Sequence, residues 1–338
     1  MGITAENQYR NNAKQRQIAM KVKFWGVRGS LPTPLTMDTI QNKIFRALQR
    51  VKPSDLESNE TIDNYIDSLP VSIKGTYGGN STCIQIIPDN GDVICIDCGT
   101  GFKNFGASLM QREFKSGQGF ASVFVSHTHW DHIQGIPFFL PMFIPGNKFT
   151  FYSPFDDLQQ RIEYQQDFSH FPINLEMMQA KKEFVAVPQE GEIFLNGMKV
   201  INKRMRHPGA SYGYRFEENG KVFCFTADCE FNLDEMDEID SYREFFQDAD
   251  VVLFDAQYTF NESINKIDWG HSSASIAIDI AARFNVKKVI LYHHDPDYSD
   301  DKLDNVLANA RSYVAMNVGK KGVELEVELA LEGAEIEI

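Results

Sequence analysis

The sequence predicts an α/β protein in which two packed β-sheets are covered by helices on their outer faces. Short runs rich in Val, Ile, Phe and Tyr and bounded by Gly, Asn, Asp and Pro predict strands. Helical patterns lie between these runs without a strict alternation of strand and helix, which favours two packed sheets. The 338 residues can bury a sizeable core, and no linker divides them, so a single domain is expected.

The strand-like runs start well after the N-terminus and continue to the last third of the chain. They lie at 83–87, 93–97, 121–126, 148–152, 198–202, 211–216, 222–226, 251–255 and 288–292. The clearest helix is predicted at 272–284, where apolar residues share one face behind the capping-type residue Ser272. A second helix is predicted at 302–316.

Two segments depart from this pattern. Residues 1–19 are polar and precede the patterned sequence, which starts at Met20, so they are expected to form a flexible extension. Residues 37–72 are polar and helix-like. They are expected to be an insertion in a domain spanning 20–338, where they pack on the outside or cover a site.

Composition excludes several classes of function. The formal net charge of −14 disfavours nonspecific binding to nucleic acid or anionic lipid, although a local basic pocket for a small phosphorylated ligand stays open. The longest strongly apolar stretch, 136–145, is too short for a membrane helix. There is no apolar secretory segment, and the five cysteines favour a reducing cytoplasm. Cys95 and Cys98 have C-x-x-C spacing, which is typical of a redox pair or of two inert core residues.

The strongest chemical signal is a group of histidines directly after the strand-like run at 121–125. His127, His129, Asp131 and His132 place three imidazoles and one carboxylate within six residues, and all four are expected in a loop at the strand's carboxyl end. Zinc, iron or manganese would compensate the cost of bringing these groups together. The alternative is a polar surface loop, but the H-x-H-x-D-H spacing favours a metal site.

The pattern H-x-H-x-D-H-x-x-G at 127–135 resembles the signature of the metallo-β-lactamase superfamily. The resemblance extends over nearly the whole chain from Met20. It implies a four-layer αββα sandwich of two mixed β-sheets flanked by helices. The segment around Asp97 is similar to the superfamily's first motif, which implies that Asp97 supports the metal loop without binding the metal itself.

Three later segments resemble the remaining ligand motifs, with ligands at His207, Asp228 and His293. The resemblance implies two divalent metal ions, with zinc expected and manganese or iron as alternatives. One ion is implied to bind His127, His129 and His207, the other Asp131, His132 and His293, and Asp228 is shared. Asp131 is also expected to act in catalysis. His294 adjoins His293, so the sequence leaves open which of the two binds metal.

The segment that begins Gly270-His271-Ser272 is similar to the ribonuclease Z branch of the superfamily, where this histidine donates a proton to the leaving alkoxide. Asp255 is implied to orient His271 and stands where the branch usually has Glu. A carboxylate-oriented imidazole can supply a proton near neutral pH. The alternative for His271 is a residue at the start of a helix with no catalytic role.

Segments 24–34 and 78–82 resemble a bacterial subgroup of phosphodiesterase-like hydrolases. Arg28 and Asn80 are therefore expected to bind substrate. A guanidinium suits a phosphate, but a structural ion pair for Arg28 is an equal alternative.

Aromatic residues provide further candidates for the substrate site. Tyr212 and Tyr214 are expected to line it, although alternation in a strand points both to one face whatever their role. The aromatic segments 138–143 and 168–175 would either wall a pocket that stacks a base or pack in the core.

These observations predict a binuclear metal-dependent hydrolase, and first a phosphodiesterase that cleaves a small or cyclic nucleotide-type phosphodiester through a metal-bridging hydroxide. One alternative is a tRNA 3′-processing endoribonuclease, which the net charge disfavours. Another is a glyoxalase-type thioesterase, which would not need His271 and Asp255. A non-catalytic sensor would not need the full ligand set. The sequence leaves a monomer and a homodimer both open.

Overall fold

The computed structural model describes residues 20–231, 236–319 and 324–338, so the predicted extension at 1–19 lies outside the described residues. The described residues form fourteen strands in two sheets. In chain order the strands are β1 (Lys21–Gly26), β2 (Cys83–Ile87), β3 (Ile94–Ile96), β4 (Phe120–Phe124), β5 (Lys148–Ser153), β6 (Lys181–Ala186), β7 (Glu192–Leu195), β8 (Met198–Met205), β9 (Ser211–Glu218), β10 (Lys221–Phe225), β11 (Val251–Asp255), β12 (Lys288–Tyr292), β13 (Glu326–Leu329) and β14 (Glu335–Glu337).

Both sheets are mixed, as predicted. The first has the order β14-β1-β2-β3-β4-β5-β6, and the second has the order β13-β12-β11-β10-β9-β8-β7. Strands β3 to β6 run parallel in the first sheet, and β10 to β13 run parallel in the second. Because parallel strands end at the same edge of a sheet, the segments that follow β3, β4, β10, β11 and β12 can meet.

Helices cover the outer face of each sheet. They are α1 (Met37–Leu48), α2 (Asn59–Ser68), α3 (Val71–Lys74), α4 (Gly101–Leu109), α5 (Trp130–Ile133), α6 (Leu158–Gln165), α7 (Met236–Asp240), α8 (Arg243–Phe246), α9 (Phe260–Ser263), α10 (Ala274–Arg283) and α11 (Asp300–Tyr313). A π-helical turn, Val314–Val318, follows α11. No helix among the described residues is both long and apolar enough to span a membrane.

Three apolar layers hold these elements together. The central layer lies between the sheets and joins side chains such as Phe24 and Phe124 of the first sheet to Phe225 and Tyr292 of the second. A second layer packs α4 against the first sheet, and a third packs α10 and α11 against the second. The predicted four-layer sandwich is therefore confirmed.

The segment 37–72 is helical and packs on the outside of the domain. Lys43 of α1 is buried, and its Nζ lies 2.6 Å from Asp300 Oδ2 at the start of α11. Arg46 Nη1 lies 2.7 Å from Asp301 Oδ2. That 37–72 is an insertion in the domain stays a prediction.

All nine predicted strands form, and their ends shift by no more than three residues. The helix predicted at 272–284 is Ala274–Arg283, with Ser273 rather than Ser272 at its N-cap. The helix predicted at 302–316 begins two residues earlier, at Asp300. Five further strands, β1, β6, β7, β13 and β14, were not among the predicted runs.

Candidate metal centre

The site lies where strands of both sheets end. Asp97 follows β3, Asp228 comes three residues after β10, and His293 follows β12. Asp97 and His293 have left-handed backbone conformations, with φ of 58° and 62°, as does Ala227 next to Asp228, with φ of 53°. Such conformations cost non-glycine residues about 1–3 kcal/mol each, and they cluster at functional sites where the surrounding structure maintains them.

The histidine motif after β4 is part loop and part helix. His127 and His129 lie in the loop, whereas Asp131 and His132 lie on α5, which corrects the expectation that all four lie in a loop. The helical turn forms because the His132 amide donates to the His129 carbonyl. It buries Asp131 and His132 while Trp130 stays 78% exposed.

The first cluster consists of His127, His129, His207 and Asp228, each with a ligand atom within 4.8 Å of the others. His207 Nε2 lies 3.1 Å from His129 Nδ1, and His127 Nε2 lies 3.5 Å from Asp228 Oδ2. His129 is exposed and His207 is half-buried, so this cluster opens toward solvent.

The second cluster consists of Asp131, His132, His293 and the same Asp228, and all four are buried. The Nε2 atoms of His132 and His293 each lie 3.2 Å from Asp228 Oδ1. They lie 3.3 and 3.1 Å from Asp131 Oδ2. Asp228 therefore presents Oδ2 to the first cluster and Oδ1 to the second, as a bridging carboxylate would.

Four of the histidines are oriented by hydrogen bonds from Nδ1. The acceptors are Ser126 Oγ for His127 (3.0 Å), Asp97 Oδ2 for His132 (2.7 Å), the Gly270 carbonyl for His207 (2.9 Å) and Gln257 Oε1 for His293 (3.2 Å). In its neutral form, each ring then presents an unprotonated Nε2 to its cluster. A second hydrogen bond of this kind is typical of metal-binding histidines.

Three buried polar atoms at the centre of the clusters face one another at 3.2–3.5 Å or have other close contacts, but they make no hydrogen bond among the described residues. They are Nε2 of His127, Nε2 of His132 and Oδ1 of Asp228. An unsatisfied buried polar atom is costly, and divalent metal ions would satisfy all three at once. The donor set of imidazoles and carboxylates suits zinc, iron or manganese. The residues therefore fit two metal ions.

The clusters differ in their electrostatics. Burial, together with the neighbouring imidazoles, lowers the pKa of His127 and His207 in the first cluster. Burial would also lower the pKa of His293, but the Asp228 and Asp131 carboxylates outweigh it and raise that pKa to about 9. The same carboxylates raise the pKa of His132 well above its ordinary value, although burial opposes them. Without metal, the second cluster holds protons in place of cations.

Next to both clusters lies the predicted acid–base pair. His271 Nδ1 is 2.8 Å from Asp255 Oδ2, and the His271 ring stacks on that of His293 at 4.9 Å. Asp255 is fully buried and also accepts hydrogen bonds from the Cys229 and Gln257 amides. The shorter Asp side chain therefore reaches His271.

Three supporting residues were missed from the sequence. Gln257 orients His293. The Ser30 amide donates to Asp131 Oδ2 at 2.8 Å, and a Cβ on Gly29 would lie 2.2 Å from His293 Nδ1. The motif at 24–34 contains Gly29 and Ser30, but within it the predicted functional residue was Arg28. Gln257 had no signal beyond its nearness to Asp255.

The structure does not bring Arg28 or Asn80 to the metal centre as free substrate-binding groups. Arg28 is buried, and its guanidinium donates to the carbonyls of Gly78, Asp295 and Tyr298. The side-chain amide of Asn80 donates from Nδ2 to Glu332 Oε1 at 2.6 Å. Because these groups already have partners within the protein, their contacts favour the structural alternative.

The two tyrosines are also placed away from solvent. Tyr214 is fully buried between the sheets, where its hydroxyl donates to the Val125 carbonyl. Tyr212 is buried and packs edge-on against Phe155. The packing of β9 buries both side chains, which favours a packing role over the expected contact with substrate, and that contact stays a prediction.

His294 and the cysteines belong to the interior. His294 Nε2 donates to the Ala330 carbonyl at 2.9 Å, and burial lowers its pKa to about 3. Of the two adjacent histidines, His293 is thus the one that faces the clusters. All five cysteines are buried with free thiols, and burial raises the pKa of Cys98 well above its ordinary value, which favours the core interpretation of the C-x-x-C pair.

The fold and the two clusters define a class, namely proteins with a metal centre at the strand ends of a two-sheet sandwich. Residues 93–294 match the model of the beta-lactamase superfamily domain. Since this match covers more than half of the sequence, the chain belongs to the beta-lactamase superfamily. The predicted resemblance is thereby confirmed.

Individual relatives are distant. Ribonuclease Z of Bacillus mycoides (strain KBAB4) is 26% identical in an alignment that covers 69% of this chain and 88% of that protein. The metallo-beta-lactamase fold protein YhfI from Bacillus subtilis superposes with a TM-score of 0.61 at 16% identity, over 95% of this chain and 100% of that chain. Unliganded yeast PDE1 superposes with a TM-score of 0.60 at 14% identity, with the same coverage. At these identities the two structures show a shared fold alone.

Family membership and the two clusters together describe a metal-dependent hydrolase of the metallo-β-lactamase fold, with clusters consistent with a binuclear site.

Proposed function

We propose that the protein is a phosphodiesterase that hydrolyses small or cyclic nucleotide-type phosphodiesters at a binuclear zinc centre. One observation carries the proposal: the His271–Asp255 pair lies directly beside the two clusters. A phosphodiester has an alkoxide leaving group that needs a proton, whereas a thiolate leaves without one. The similarity to a ribonuclease, an enzyme whose RNA substrate is linked by phosphodiesters, supports the same chemistry.

The first cluster and the second cluster would each hold one metal ion, with Asp228 shared between them. When bound, the ions supply Lewis acidity, which activates a water molecule and neutralises charge on the phosphoryl oxygens. Asp97, Ser126 and Gln257 keep the histidines in the ligand tautomer. Asp131, which faces both His132 and His293, is assigned to accept a hydrogen bond from the attacking water.

His271 and Asp255 are assigned to the second half of the reaction. The oxygen of water bonds to phosphorus as the bond from phosphorus to the leaving oxygen breaks. His271 Nε2 donates its proton to that oxygen, while Asp255 holds Nδ1 and orients the ring. The buried Asp255 is fixed by two backbone amides, so it can orient the ring without moving.

The test compares leaving groups. Zinc-loaded protein is assayed with methyl p-nitrophenyl phosphate, whose leaving group needs little protonation, and with methyl phenyl phosphate, whose leaving group needs more. His271→Ala is expected to slow the phenyl ester by about 10²–10⁴-fold, the range for a lost general acid. The p-nitrophenyl ester should slow by less than about tenfold, because its phenolate leaves unprotonated.

Asp228→Ala serves as the blank, and Asp240→Ala, an exposed aspartate paired with Arg243 and Arg283, serves as the matched control. Equal losses on both esters for His271→Ala would contradict the proton-donor role. Wild-type protein that binds two metal ions and cleaves a thioester such as S-lactoylglutathione, but neither diester, would establish the thioesterase alternative instead.

A ribonuclease of the ribonuclease Z type is the second candidate, because a cleft lined by Lys203, Arg204 and Arg206 adjoins His207. Two of these cations already pair with acids, Lys203 with Glu190 at 3.1 Å and Arg206 with Asp268 at 2.9 Å. The remaining positive charge is small beside a net charge of −14. Cleavage of a precursor tRNA at its 3′ side in preference to small diesters would favour this candidate.

A further inference from the structure

A cavity of about 890 Å³ lies beside residues 127–132, which we call the metal loop. Its lining includes Thr128 and Trp130, which alternate in sequence with the cluster residues His127, His129 and Asp131. Volumes of this size are typical of small-molecule sites. The cavity therefore adjoins the metal centre and has room for one substituent of a substrate bound there.

Aromatic side chains dominate the wall. Trp130, Phe138, Tyr164 and Phe171 line the cavity, and the first three are 78%, 51% and 73% exposed. Phe138 packs edge-on against Phe171 at 5.3 Å, which leaves part of its ring uncovered. Exposure of large aromatic surfaces to water is unfavourable in free energy. A planar ring stacked on these side chains would remove that surface from water.

The polar groups of the wall select the kind of ring. Among the residues that the structure describes, no Asp or Glu lines the cavity, although acids outnumber bases by 47 to 33 in the sequence. The exposed amides of Gln134 and Gln160 offer both donors and acceptors. A nucleobase combines a stacking face with such hydrogen-bonding edges, whereas an alkyl or acyl chain would leave the amides unused.

One cation completes the lining. Arg161 stands over the Phe155 ring at 4.1 Å, and its Nη1 lies 3.4 Å from Thr128 Oγ1. This contact joins α6 to the loop that carries His127 and His129. Its Nε also pairs with Asp157 Oδ1 at 2.8 Å, so Arg161 is a held part of the cavity wall and not a free cation for a phosphate.

We propose that this cavity binds the nucleobase of the ester group that stays on phosphorus, so that the substrate is a nucleoside phosphodiester. The inference rests on the proposed function and adds to it the place where the base of a nucleotide-type substrate binds. Trp130 is the principal stacking face, because it belongs to the metal loop and is the most exposed aromatic residue of the lining. Phe138 and Phe171, which contact each other at 5.3 Å, also line the cavity.

The test uses two esters with the same p-nitrophenolate leaving group, thymidine 5′-(p-nitrophenyl phosphate) and methyl p-nitrophenyl phosphate. The measured quantity is the ratio of their kcat/KM values on the zinc-loaded protein. Trp130→Ala is expected to lower this ratio about tenfold, within the range for losing one base–aromatic stack. Trp130→Phe should keep most of the ratio, and Phe194→Ala, which removes an exposed aromatic residue of β7, should not change it.

An unchanged ratio for Trp130→Ala, including equal loss on both esters, would overturn the proposal. Binding of thymidine 5′-monophosphate gives an independent readout through quenching of tryptophan fluorescence. Quenching should disappear in Trp130→Phe and persist in Trp269→Phe. If the wild type hydrolyses neither ester but shows this quenching pattern, the proposed function fails and the base site stands. Absence of quenching in the wild type would overturn the base site.

Discussion

The two clusters share Asp228 yet differ in every other respect. The first has three imidazoles and opens toward solvent through His129, whereas the second has a further carboxylate, Asp131, and is fully buried. Two carboxylates in a buried place attract a divalent cation more strongly than one, but without metal they must be compensated by protons. From this comparison we expect the second cluster to bind metal more tightly than the first and with a stronger dependence on pH.

Removing the shared ligand should have the largest effect. Asp228→Ala takes a carboxylate oxygen from both clusters, so metal content is expected to fall from two ions per chain to less than one. The rate of phosphodiester hydrolysis should fall further than it does when a general acid is lost, which costs about 10²–10⁴-fold. Elemental analysis after dialysis and a bis(p-nitrophenyl) phosphate assay measure both quantities. A variant that keeps two ions would show that Asp228 does not bridge.

Separate variants can then break one cluster at a time. His207→Ala should leave one tightly held ion in the second cluster, because that cluster keeps all its carboxylates. His293→Ala should leave less than one ion after dialysis against a weak chelator, since only the exposed first cluster stays complete. Equal metal contents for the two variants would contradict the expected order of affinities.

Two residues behind the histidines provide a matched pair of smaller effects. Asp97 accepts a hydrogen bond from His132 Nδ1, and Ser126 Oγ accepts one from His127 Nδ1. Asp97→Asn should weaken metal binding to the second cluster by about 10–100-fold, as is typical for such partners. Ser126→Ala should mainly weaken the first cluster. Metal titration with a competing chromophoric chelator resolves the binding of the two ions. If Asp97→Asn mainly weakened the first cluster, or Ser126→Ala the second, the clusters would be coupled.

The smallest effect concerns protons. Because the pKa of His293 is raised to about 9 and that of His132 is also raised, the second cluster is protonated at pH 7 without metal. Metal must displace these protons, whereas His127 and His207, whose pKa values are lowered, are already neutral. Calorimetric titration of metal-free protein with Zn²⁺ in buffers of different ionisation enthalpy should show proton release at the tighter site and little at the weaker site. Equal release at both steps would contradict the electrostatic difference.

Strands were predictable where they are apolar. The nine predicted runs supply the buried middle of both sheets. Four of the five missed strands, β6, β7, β13 and β14, are the four edges of the two sheets, and they are rich in Lys and Glu. Charged residues at an edge prevent pairing with other chains, and they also hide the strand from a search for apolar runs.

The metal residues were predictable because their types and spacing carry the chemistry. His127, His129, Asp131 and His132 are recognisable in one short segment, and His207, Asp228 and His293 followed from the resemblance. Arg28 and Tyr214 show the limit of this approach. Their residue types suit a substrate, but their partners, such as the Gly78 carbonyl 50 residues away from Arg28, are fixed only by packing.

By itself the sequence determined the class of fold, the family and the set of residues that meet at the centre, because side-chain chemistry and local spacing are properties of the chain. Only the tertiary structure decided how those residues are divided. In the folded chain one oxygen of Asp228 faces each cluster, and His293 faces the second cluster while His294 contacts the Ala330 carbonyl. Trp130 is exposed and lines a cavity. These outcomes depend on the directions in which strands of two different sheets end, and contacts between residues far apart in sequence set those directions.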